Sequence, residues 1–477
     1  MNFPARALAA LAIGVLTPML AARELHLAQG QMAGEVTDSA VLLQTRLTAT
    51  PGLDEQGDVP GASGVARFEW SSDSNFHEAA QTPWLPSLPE HDFIVRAALA
   101  GLSPATVYYY RVRFGVGEAE ARTGPVASFK TLPGSGRNDR VSFAMGSCMN
   151  YHPFMAGTSD GGGRPSATED DQRLGYPAFA AMTALAPDFF IGAGDVVYYD
   201  KGRPFATTLP LMRKKWHEQF RFPRLVEFFA RTPAYWLKDD HDFRYNDADR
   251  SGEKSPGTDL GIRTFREQMP ILPQDDSSSP TYRTHRVNRD LQLWFVEGRD
   301  YRSPNSAPDG PGKTIWGSEQ REWLQRSLRA SDAAWKLLIT STPMVGPDDA
   351  SKKDNHANLA GFRHERDSFF AWLASESIAN VFALTGDRHW QFHSIHPSGV
   401  EEFSCGALND ENSRRGVKPG QGSDPDRQIR QPWTYEEPTG GFLHVTVSPR
   451  GTSSSTLVFQ FYDDQGQASY RVTKVSP

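Results

Sequence analysis

Short, almost uninterrupted apolar segments recur after residue 139, and helical stretches separate most of them. The segments span 141–147, 188–194, 234–238, 291–297, 336–341 and 380–385. Segments of this kind are typical of strands that are buried on both faces of a sheet. Helices are predicted between them at 176–185, 211–220, 319–330 and 363–376. The alternation predicts an α/β fold in which layered sheets are flanked by helices.

Polar residues dominate three longer stretches of the same region. The stretches 149–172, 242–290 and 303–313 are predicted to be surface loops. At the C-terminal end, 455–475 contains two segments of alternating polarity around a Gln-Gly-Gln turn. That pattern predicts a β-hairpin.

A different pattern occupies the region from about residue 35 to residue 131. Short alternating segments, separated by Gly, Pro, Asp and Ser, predict strands over 41–49, 66–70, 93–99 and 107–114. The spacing of Leu102, Pro104, Thr106 and Tyr108 resembles a turn and strand of fibronectin type III domains, in which the Tyr closes a corner of the sandwich. No catalytic grouping occurs here, so we favour a small structural or positioning β-sandwich. A linker is predicted over 132–138.

The N-terminus carries an apolar run, Ala7–Ala22, that follows Arg6 and is interrupted by Pro18. The run is short for a membrane span, which needs about 20 residues. It fits an export signal over 1–22, with cleavage after Ala22. An uncleaved anchor and an incorrectly assigned start are the alternatives. No Arg-Arg pair is present in this segment.

The composition excludes several classes of protein. A chain of 477 residues with 38% apolar and 22% charged residues is neither collagen-like, disordered nor a multi-span membrane protein. The formal net charge of −7 argues against a basic nucleic-acid-binding surface. Two cysteines, Cys148 and Cys405, allow at most one disulfide.

Reactive side chains directly follow four of the predicted strands. In an open α/β sheet the carboxyl ends of the strands form one edge, and ligands bind there. The sequence therefore predicts that seven side chains approach one another: Cys148, Asp195, Tyr198, Asp240, His241, Asp387 and His389.

Each of these residues has an ordinary interpretation when it is taken alone. An Asp after a strand is most often a turn or cap residue, Cys148 could be a small buried hydrophobe, and Tyr198 could be a packing aromatic. The combination argues otherwise, because converging carboxylates without a cation are costly to desolvate and repel one another. Metal ions would remove that cost, and His389, Tyr198 and Cys148 extend the set of ligands.

The motifs GSC, GDxxY, DDHD, an Asn soon after it, and GDxH occur in the order found in PhoD-type alkaline phosphatases. These are exported members of the calcineurin-like metallophosphoesterase superfamily. Residues 31–47 resemble the start of the family's N-terminal sandwich domain, and 298–302 and Trp323 also match. The resemblance covers nearly the whole chain. It implies a β-sandwich domain over 30–132 and a catalytic domain over 139–477.

The resemblance also implies a metal centre with two or more ions. One metal would be surrounded by Cys148, Asp195, Tyr198 and His389. The other would be surrounded by Asp195, Asp240, Asn246 and Asp387, so that Asp195 bridges the two. Thiolate and phenolate suit Fe³⁺, whereas carboxylate and amide oxygens suit Ca²⁺, Mg²⁺ or Mn²⁺. Asp247 or Asp242 could take the place of Asn246.

A mechanism follows from the charges. Two cations can hold the oxygens of a phosphoester substrate while a bound water is deprotonated for in-line attack. Arg388 and Arg299 are candidate phosphate clamps, with surface salt bridges as the alternative for each. His241 could protonate the leaving oxygen or be structural. Lys238 precedes DDHD where the family commonly has an apolar or aromatic residue, which predicts different local packing.

The expected function is that of an exported phosphoester hydrolase, most simply an alkaline phosphomonoesterase. A phosphodiesterase or phospholipase on the same metals is an alternative. Two others are a hydrolase with Cys148 as nucleophile and a non-catalytic surface protein that binds through the sandwich. A Cys148–Cys405 disulfide is the structural alternative for both thiols.

Overall fold

The structure is a computed structural model that describes residues 24–158, 165–450 and 454–476. The export signal predicted over 1–22 lies outside the described residues. None of the helices within these three ranges has the length and hydropathy that a bilayer crossing requires.

The N-terminal region forms the predicted β-sandwich. Strands β1, β2 and β6 pair side by side, and β4, β3, β7 and β8 form a separate sheet in that order, with β5 attached to β3. The backbone N–H of Ser103 donates to the Tyr108 hydroxyl at 2.9 Å, which closes the predicted corner. The strands are β1 (Gln31–Gly34), β2 (Ala40–Arg46), β3 (Gly64–Ser71), β4 (Ala80–Gln81), β5 (Leu85–Ser87), β6 (Ile94–Ala100), β7 (Val107–Gly115) and β8 (Arg122–Lys130).

Two further groups of strands make up the rest of the β-structure. The first group is β9 (Val141–Gly146), β10 (Phe189–Ala193), β11 (Ala234–Leu237), β19 (Gly441–Arg450), β20 (Ser454–Asp463) and β21 (Ala468–Val475). The second group is β12 (Arg283–Arg286), β13 (Leu291–Phe295), β14 (Trp335–Thr340), β15 (Val381–Thr385), β16 (Gln391–Ile395), β17 (Glu401–Cys405) and β18 (Arg430–Thr434). The predicted C-terminal hairpin is confirmed as β20 and β21.

The first group joins the N-terminal region in one sheet of nine strands, in the order β21-β20-β19-β9-β10-β11-β1-β2-β6. The connection is a parallel pairing of β1 with β11, in which Gly34 lies opposite Ala234. Strands β9, β10 and β11 are parallel to one another. The second group forms a sheet of seven strands, in the order β12-β13-β14-β15-β17-β16-β18.

Helices cover the outer faces of these two sheets. Successive side chains of a strand point to opposite faces. Ile191 and Leu293 thus pack between the sheets, whereas Phe190 packs against the helices outside the first sheet and Trp294 against those outside the second. The predicted layered α/β architecture is confirmed, with the sheets in the middle. The helices are α1 (Tyr151–Ala156), α2 (Glu169–Leu174), α3 (Pro177–Leu185), α4 (Leu209–Phe220), α5 (Pro223–Phe229), α6 (Asp240–Phe243), α7 (Thr258–Gln268), α8 (Gly317–Arg329) and α9 (Arg363–Ser375).

The prediction of long surface loops was partly wrong. Helix α1 lies within the predicted loop 149–172 and α2 begins in it, and α7 and β12 lie within the predicted loop 242–290. In α7 the buried side includes Gly261, Thr264, Phe265 and Gln268, of which only Phe265 is a large apolar residue. The largely polar composition of α7 hides the helix, although its apolar residues lie on one face.

An ion cluster connects helix α4 to the N-terminal region. The two ring nitrogens of His217 lie 2.7 Å from Asp58 Oδ1 and 2.6 Å from Asp92 Oδ2. Arg46 adds an ion pair with Asp92 at 3.1 Å. Burial opposes the charge on Asp92, but His217 and Arg46 hold its pKa well below the usual value. The cluster is therefore a buried polar contact between the two regions of the chain.

We expect His217→Ala to destabilise the fold by about 2 kcal/mol, because it removes the hydrogen bonds of His217 to Asp58 and Asp92 and leaves the buried Asp92 with Arg46 as its remaining ion-pair partner. Urea unfolding would measure the loss. His77→Ala is the matched control, because His77 pairs with Asp73 at the surface, where the His77 side chain is 77% exposed. The control should change stability little. Equal stabilities for the two variants would contradict a role of the cluster in holding the regions together.

Candidate metal centre

Three of the predicted site residues have a left-handed backbone at the end of a strand. Cys148 and Asp195 both have φ of 55°, and Asp387 has φ of 64°. They follow β9, β10 and β15, respectively. This conformation costs a non-glycine residue on the order of 1–2 kcal/mol. Because such residues persist where the surrounding structure holds them, and cluster at functional sites, they mark this end of the sheets.

The glycines before these aspartates allow the two sheets to approach closely. A Cβ on Gly194 would lie 2.6 Å from the Asp239 Cβ, and Gly194 has φ of +92°. A Cβ on Gly386 would lie 2.6 Å from the carbonyl oxygen of Ala193, in the other sheet. The Gly-Asp pairs therefore bring strand ends of both sheets to one place.

The structure brings the predicted metal-ligating side chains together at this place. Asp195 belongs to three of the groups, and Asp240 to three. In each group the candidate ligand atoms lie within 4.8 Å of one another. The groups are Cys148 with Asp195 and His389; Asp195 with Asp240 and His241; Asp195 with Asp239, Asp240 and Asp387; and Asp240 with Asp247 and Asp354. Asp195 thus lies between a sulfur–imidazole end and an oxygen-rich end.

Tyr198 joins the sulfur–imidazole end. Its hydroxyl lies 3.2 Å from Asp195 Oδ2, and Cys148 Sγ lies 3.6 Å from the same oxygen. The Tyr198 ring contacts the His241 ring, with centroids 4.1 Å apart. One carboxylate oxygen therefore faces both the phenol and the thiol.

Of the acidic alternatives for the oxygen-rich end, Asp247 belongs to the cluster, in a group with Asp240 and Asp354. Asn246 is exposed, and its backbone N–H donates to Asp200 Oδ2 at 3.0 Å. Asp242 has another role, because its carboxylate accepts from the backbone N–H of Val196 at 2.9 Å and of Asp239 at 2.6 Å. These bonds tie the loop after β10 to the loop after β11.

Sequence reasoning missed three carboxylates of the site. Asp239 opens the DDHD motif and could have been recognised there. Asp200 binds His241 Nδ1 at 2.6 Å, two residues after the GDxxY motif. Asp354 lies in a polar loop without periodicity, so the sequence carries no comparable signal. Its carboxylate oxygens are buried and have no hydrogen-bond partner among the described residues.

The charges at the site are out of balance without cations. Burial raises the pKa of Asp195 well above its usual value, and Asp240 and Asp239 raise it further. Burial, and then the charge on Asp195, likewise raise the pKa of the Cys148 thiol and of the Tyr198 phenol. Cations would reverse these shifts, because they favour the ionised form of each ligand.

The two histidines have opposite protonation tendencies. Burial lowers the pKa of His241, but Asp240 and Asp200 outweigh it and raise that pKa above its usual value. Burial, followed by the Arg414 and Arg388 charges, holds the pKa of His389 well below its usual value. These surroundings favour the neutral form of His389, which is the form that binds a metal, and the protonated form of His241.

Both candidate phosphate-clamp arginines are buried and already bound to carboxylates. Arg299 is 0% exposed, and its Nε donates to Asp239 Oδ1 at 2.7 Å. Arg388 is 2% exposed and donates from Nε to Asp387 Oδ2 at 2.9 Å and from Nη1 to Asp348 Oδ1 at 3.2 Å. Neither forms the surface salt bridge that was the alternative.

Lys238 directly precedes the DDHD motif, where the family commonly has an apolar or aromatic residue. Its Nζ lies 2.8 Å from Glu297 Oε1 and 2.7 Å from Asp300 Oδ1, and all three side chains are buried. Glu297 and Asp300 follow β13, in the other sheet. The polar residue is therefore balanced by acidic partners across the gap between the sheets.

The two cysteines do not form a disulfide. Cys148 and Cys405 are free and buried. The Ser147 hydroxyl lies between them, 3.5 Å from Cys148 Sγ and 3.4 Å from Cys405 Sγ. Cys148 is therefore available as a ligand.

Comparison with known proteins agrees with this geometry. The profile of the PhoD-like phosphatase family matches residues 143–442, and that of its N-terminal domain matches 15–133. Alkaline phosphatase D of Bacillus subtilis (strain 168) is 23% identical over 486 aligned residues, which cover 92% of this chain and 78% of that protein.

Two solved structures share the fold. A structure of PhoD is 21% identical, with a TM-score of 0.71, and the match covers 96% of this chain and 91% of that chain. Purple acid phosphatase PPD1 from yellow lupin (Lupinus luteus) seeds is 12% identical, with a TM-score of 0.59, and the match covers 93% and 73% of the two chains.

Proposed function

Because the chain belongs to the PhoD-like phosphatase family, we propose that it is a metal-dependent phosphomonoesterase. Family membership makes it a phosphoric ester hydrolase and argues against a non-catalytic binding protein. One observation carries the proposal: the ligand atoms of Cys148 and His389 at one end, and of Asp240 and Asp387 at the other, converge on Asp195.

The residues present fit a group of cations. The buried oxygens of Asp354 lack hydrogen-bond donors, and sulfur, imidazole and phenol donors stand beside the carboxylates. We propose Cys148, Tyr198, His389 and Asp195 for an Fe³⁺ ion. For Ca²⁺, Mg²⁺ or Mn²⁺ we propose Asp195, Asp240 and Asp387, with Asp247 in place of Asn246. Bound cations supply the positive charge that holds phosphoryl oxygens and acidifies a water.

We propose that His241 gives a proton to the leaving oxygen. Asp200 holds its Nδ1 at 2.6 Å, which fixes the orientation of the ring and stabilises the charged imidazolium. The backbone N–H of Asn246 holds the other oxygen of Asp200 at 3.0 Å. A charged and oriented imidazole meets the requirements of a general acid.

We assign Arg388 and Arg299 a positioning role. Their bonds to Asp387 and Asp239 compensate part of the negative charge and aim both carboxylates. Lys352 pairs with Asp247 and extends this pattern to the rim of the site. The role of phosphate clamp, for which both were candidates from the sequence, would require these guanidinium groups to leave their present protein partners.

Steady-state kinetics on three substrates tests the activity. The substrates are p-nitrophenyl phosphate, an alkyl phosphomonoester and bis-p-nitrophenyl phosphate, each with wild type and with His241→Asn. We expect wild type to have a higher kcat/KM for the monoesters than for the diester. A preference for the diester would overturn the monoesterase proposal in favour of a phosphodiesterase or phospholipase.

In the same experiment, a comparison of the two monoesters tests whether His241 donates a proton to the leaving oxygen. An alkoxide needs a proton to leave, so His241→Asn should lower kcat on the alkyl ester by about 10²–10⁴-fold. Nitrophenolate can leave without a proton, so the loss of kcat on p-nitrophenyl phosphate should be much smaller. Equal losses on both monoesters would contradict proton donation.

The domain division at 30–132 and 139–477, and export by residues 1–22, stay proposals. The apolar run behind Arg6 supports export. The N-terminal residue of the mature protein, read by mass spectrometry, distinguishes a cleaved signal from a retained anchor.

A further inference from the structure

Asn412 connects the two sheets next to the sulfur–imidazole end, where it contacts Cys148 and Tyr198. It closes a short 3₁₀ turn, Asp410–Asn412, which follows β17 of the second sheet. Its side chain is buried at 9% exposure and reaches the loop after β9, in the first sheet. No motif pointed to this residue, because it lies more than 200 positions from its partners in the chain.

Three contacts fix the orientation of the Asn412 amide. Its Oδ1 accepts from Asn150 Nδ2 at 3.2 Å. Its Nδ2 donates to the carbonyl oxygen of Cys148 at 3.0 Å and to the Tyr198 hydroxyl oxygen at 3.3 Å. A flipped amide would place two N–H groups against Asn150 Nδ2 and an oxygen against two acceptors. The observed orientation is therefore the one that satisfies all three partners.

The contact with Tyr198 has a consequence for metal binding. Asn412 donates, so the Tyr198 oxygen accepts. That oxygen can keep the bond after it loses its own proton, which lies toward Asp195 Oδ2 at 3.2 Å. A hydrogen bond to a phenolate stabilises its charge and weakens it as an electron donor. The second N–H, on the Cys148 carbonyl, holds the left-handed backbone of the thiol ligand.

We propose that Asn412 is a positioning residue that orients Tyr198 and the Cys148 backbone for metal binding and tunes how strongly the phenolate donates to the metal. This inference rests on the proposed function, because it assumes the ligand set given there. Partners that orient metal ligands typically contribute 10–100-fold to metal affinity.

The test uses full-length protein loaded with Fe³⁺, in wild type and in Asn412→Leu. Leu has the same branched arrangement of side-chain heavy atoms as Asn, is bulkier, and lacks the donor. We expect the visible phenolate-to-iron absorption band to move to longer wavelength, because the phenolate loses its stabilising hydrogen bond. We also expect the affinity for Fe³⁺ to fall by about 10–100-fold. Glu411→Gln is the matched control, since Glu411 lies in the same turn and binds Asn409 at 2.8 Å.

Asn412→Asp is the second variant, for the case that Asn412→Leu does not fold. Asp keeps the shape and the acceptor for Asn150 but turns an oxygen toward Tyr198. It should move the band in the same direction, whereas a band and an Fe³⁺ affinity equal to wild type in a folded variant would overturn the proposal. In that case wild-type hydrolysis would still stand. A wild-type protein without metal-dependent hydrolysis and without the band would overturn both the function and this inference.

Discussion

Asp195→Asn is expected to remove both metal binding and hydrolysis. Asp195 is shared by the sulfur–imidazole end and the oxygen-rich end, and an amide brings no charge to offset two cations. Losing about 4 kcal/mol of the stabilisation that metal ions give the transition state corresponds to about 10³-fold in kcat. Elemental analysis and kcat on the same preparation would measure both losses.

The same substitution separates function from folding. In metal-free protein the variant should remain folded, with a stability within about 2 kcal/mol of wild type. Relief of the repulsion from neighbouring carboxylates offsets the loss of one acceptor for Tyr198 or for the His241 N–H. Asp188→Asn is a suitable control: Asp188 pairs with Lys130 at 2.9 Å, away from the site, and its loss should leave the metal content unchanged. A fully loaded and active Asp195→Asn variant would refute the bridging role.

Prolonged chelation is expected to abolish hydrolysis and to lower stability. The ions bind the folded state and so stabilise it, by about 4 kcal/mol at a concentration 1,000 times the dissociation constant. Thermal unfolding with EDTA and after restoring the cations would measure the shift. Activity that survives metal removal but is lost on thiol alkylation would instead identify Cys148 as the nucleophile.

The metal-free protein should also depend on pH in a defined direction. Burial raises the pKa of Asp242 to about 8 and that of Asp464 to about 7. The folded state therefore holds these protons more tightly than the unfolded chain, in which the pKa is near 3.8. The two protonated carboxyl groups contribute fully to the stability of the folded state at acid pH. That stability is lost as the pH rises from about 4 to about 8. Unfolding of EDTA-treated protein across this range should show the decline.

The sequence predicts the strands well and their partners poorly. The apolar runs before Cys148, Asp195 and Asp387 are local signals, and each becomes a strand. Whether those strands share one sheet is a long-range property. The structure divides them, with Asp387 following a strand of the second sheet. A single sheet edge and the gap between two sheets lead to the same cluster. The convergence of the candidate ligands was therefore predicted, although the division of these strands between the two sheets was not.

The surroundings of the ligands were harder to predict for a physical reason. Arginines are mostly exposed in proteins, so Arg299 and Arg388 gave no sign of burial. Asp354 and Asn412 come from polar segments whose positions depend on distant contacts. Periodicity describes only the faces of regular elements, whereas most residues that orient the site lie in loops.

The pairing of β1 with β11 has a consequence for any shortened version of the chain. A fragment that starts at residue 139 would leave one edge of β11 without its neighbour, next to Ala234. The fragment would also lack Glu35, which pairs with both Arg283 and His285. An open strand edge is a template for aggregation. The domain boundaries predicted from the sequence are therefore poor places to truncate this protein. The N-terminal region supplies the strand that pairs with β11, in the same sheet as the strand that precedes Asp195.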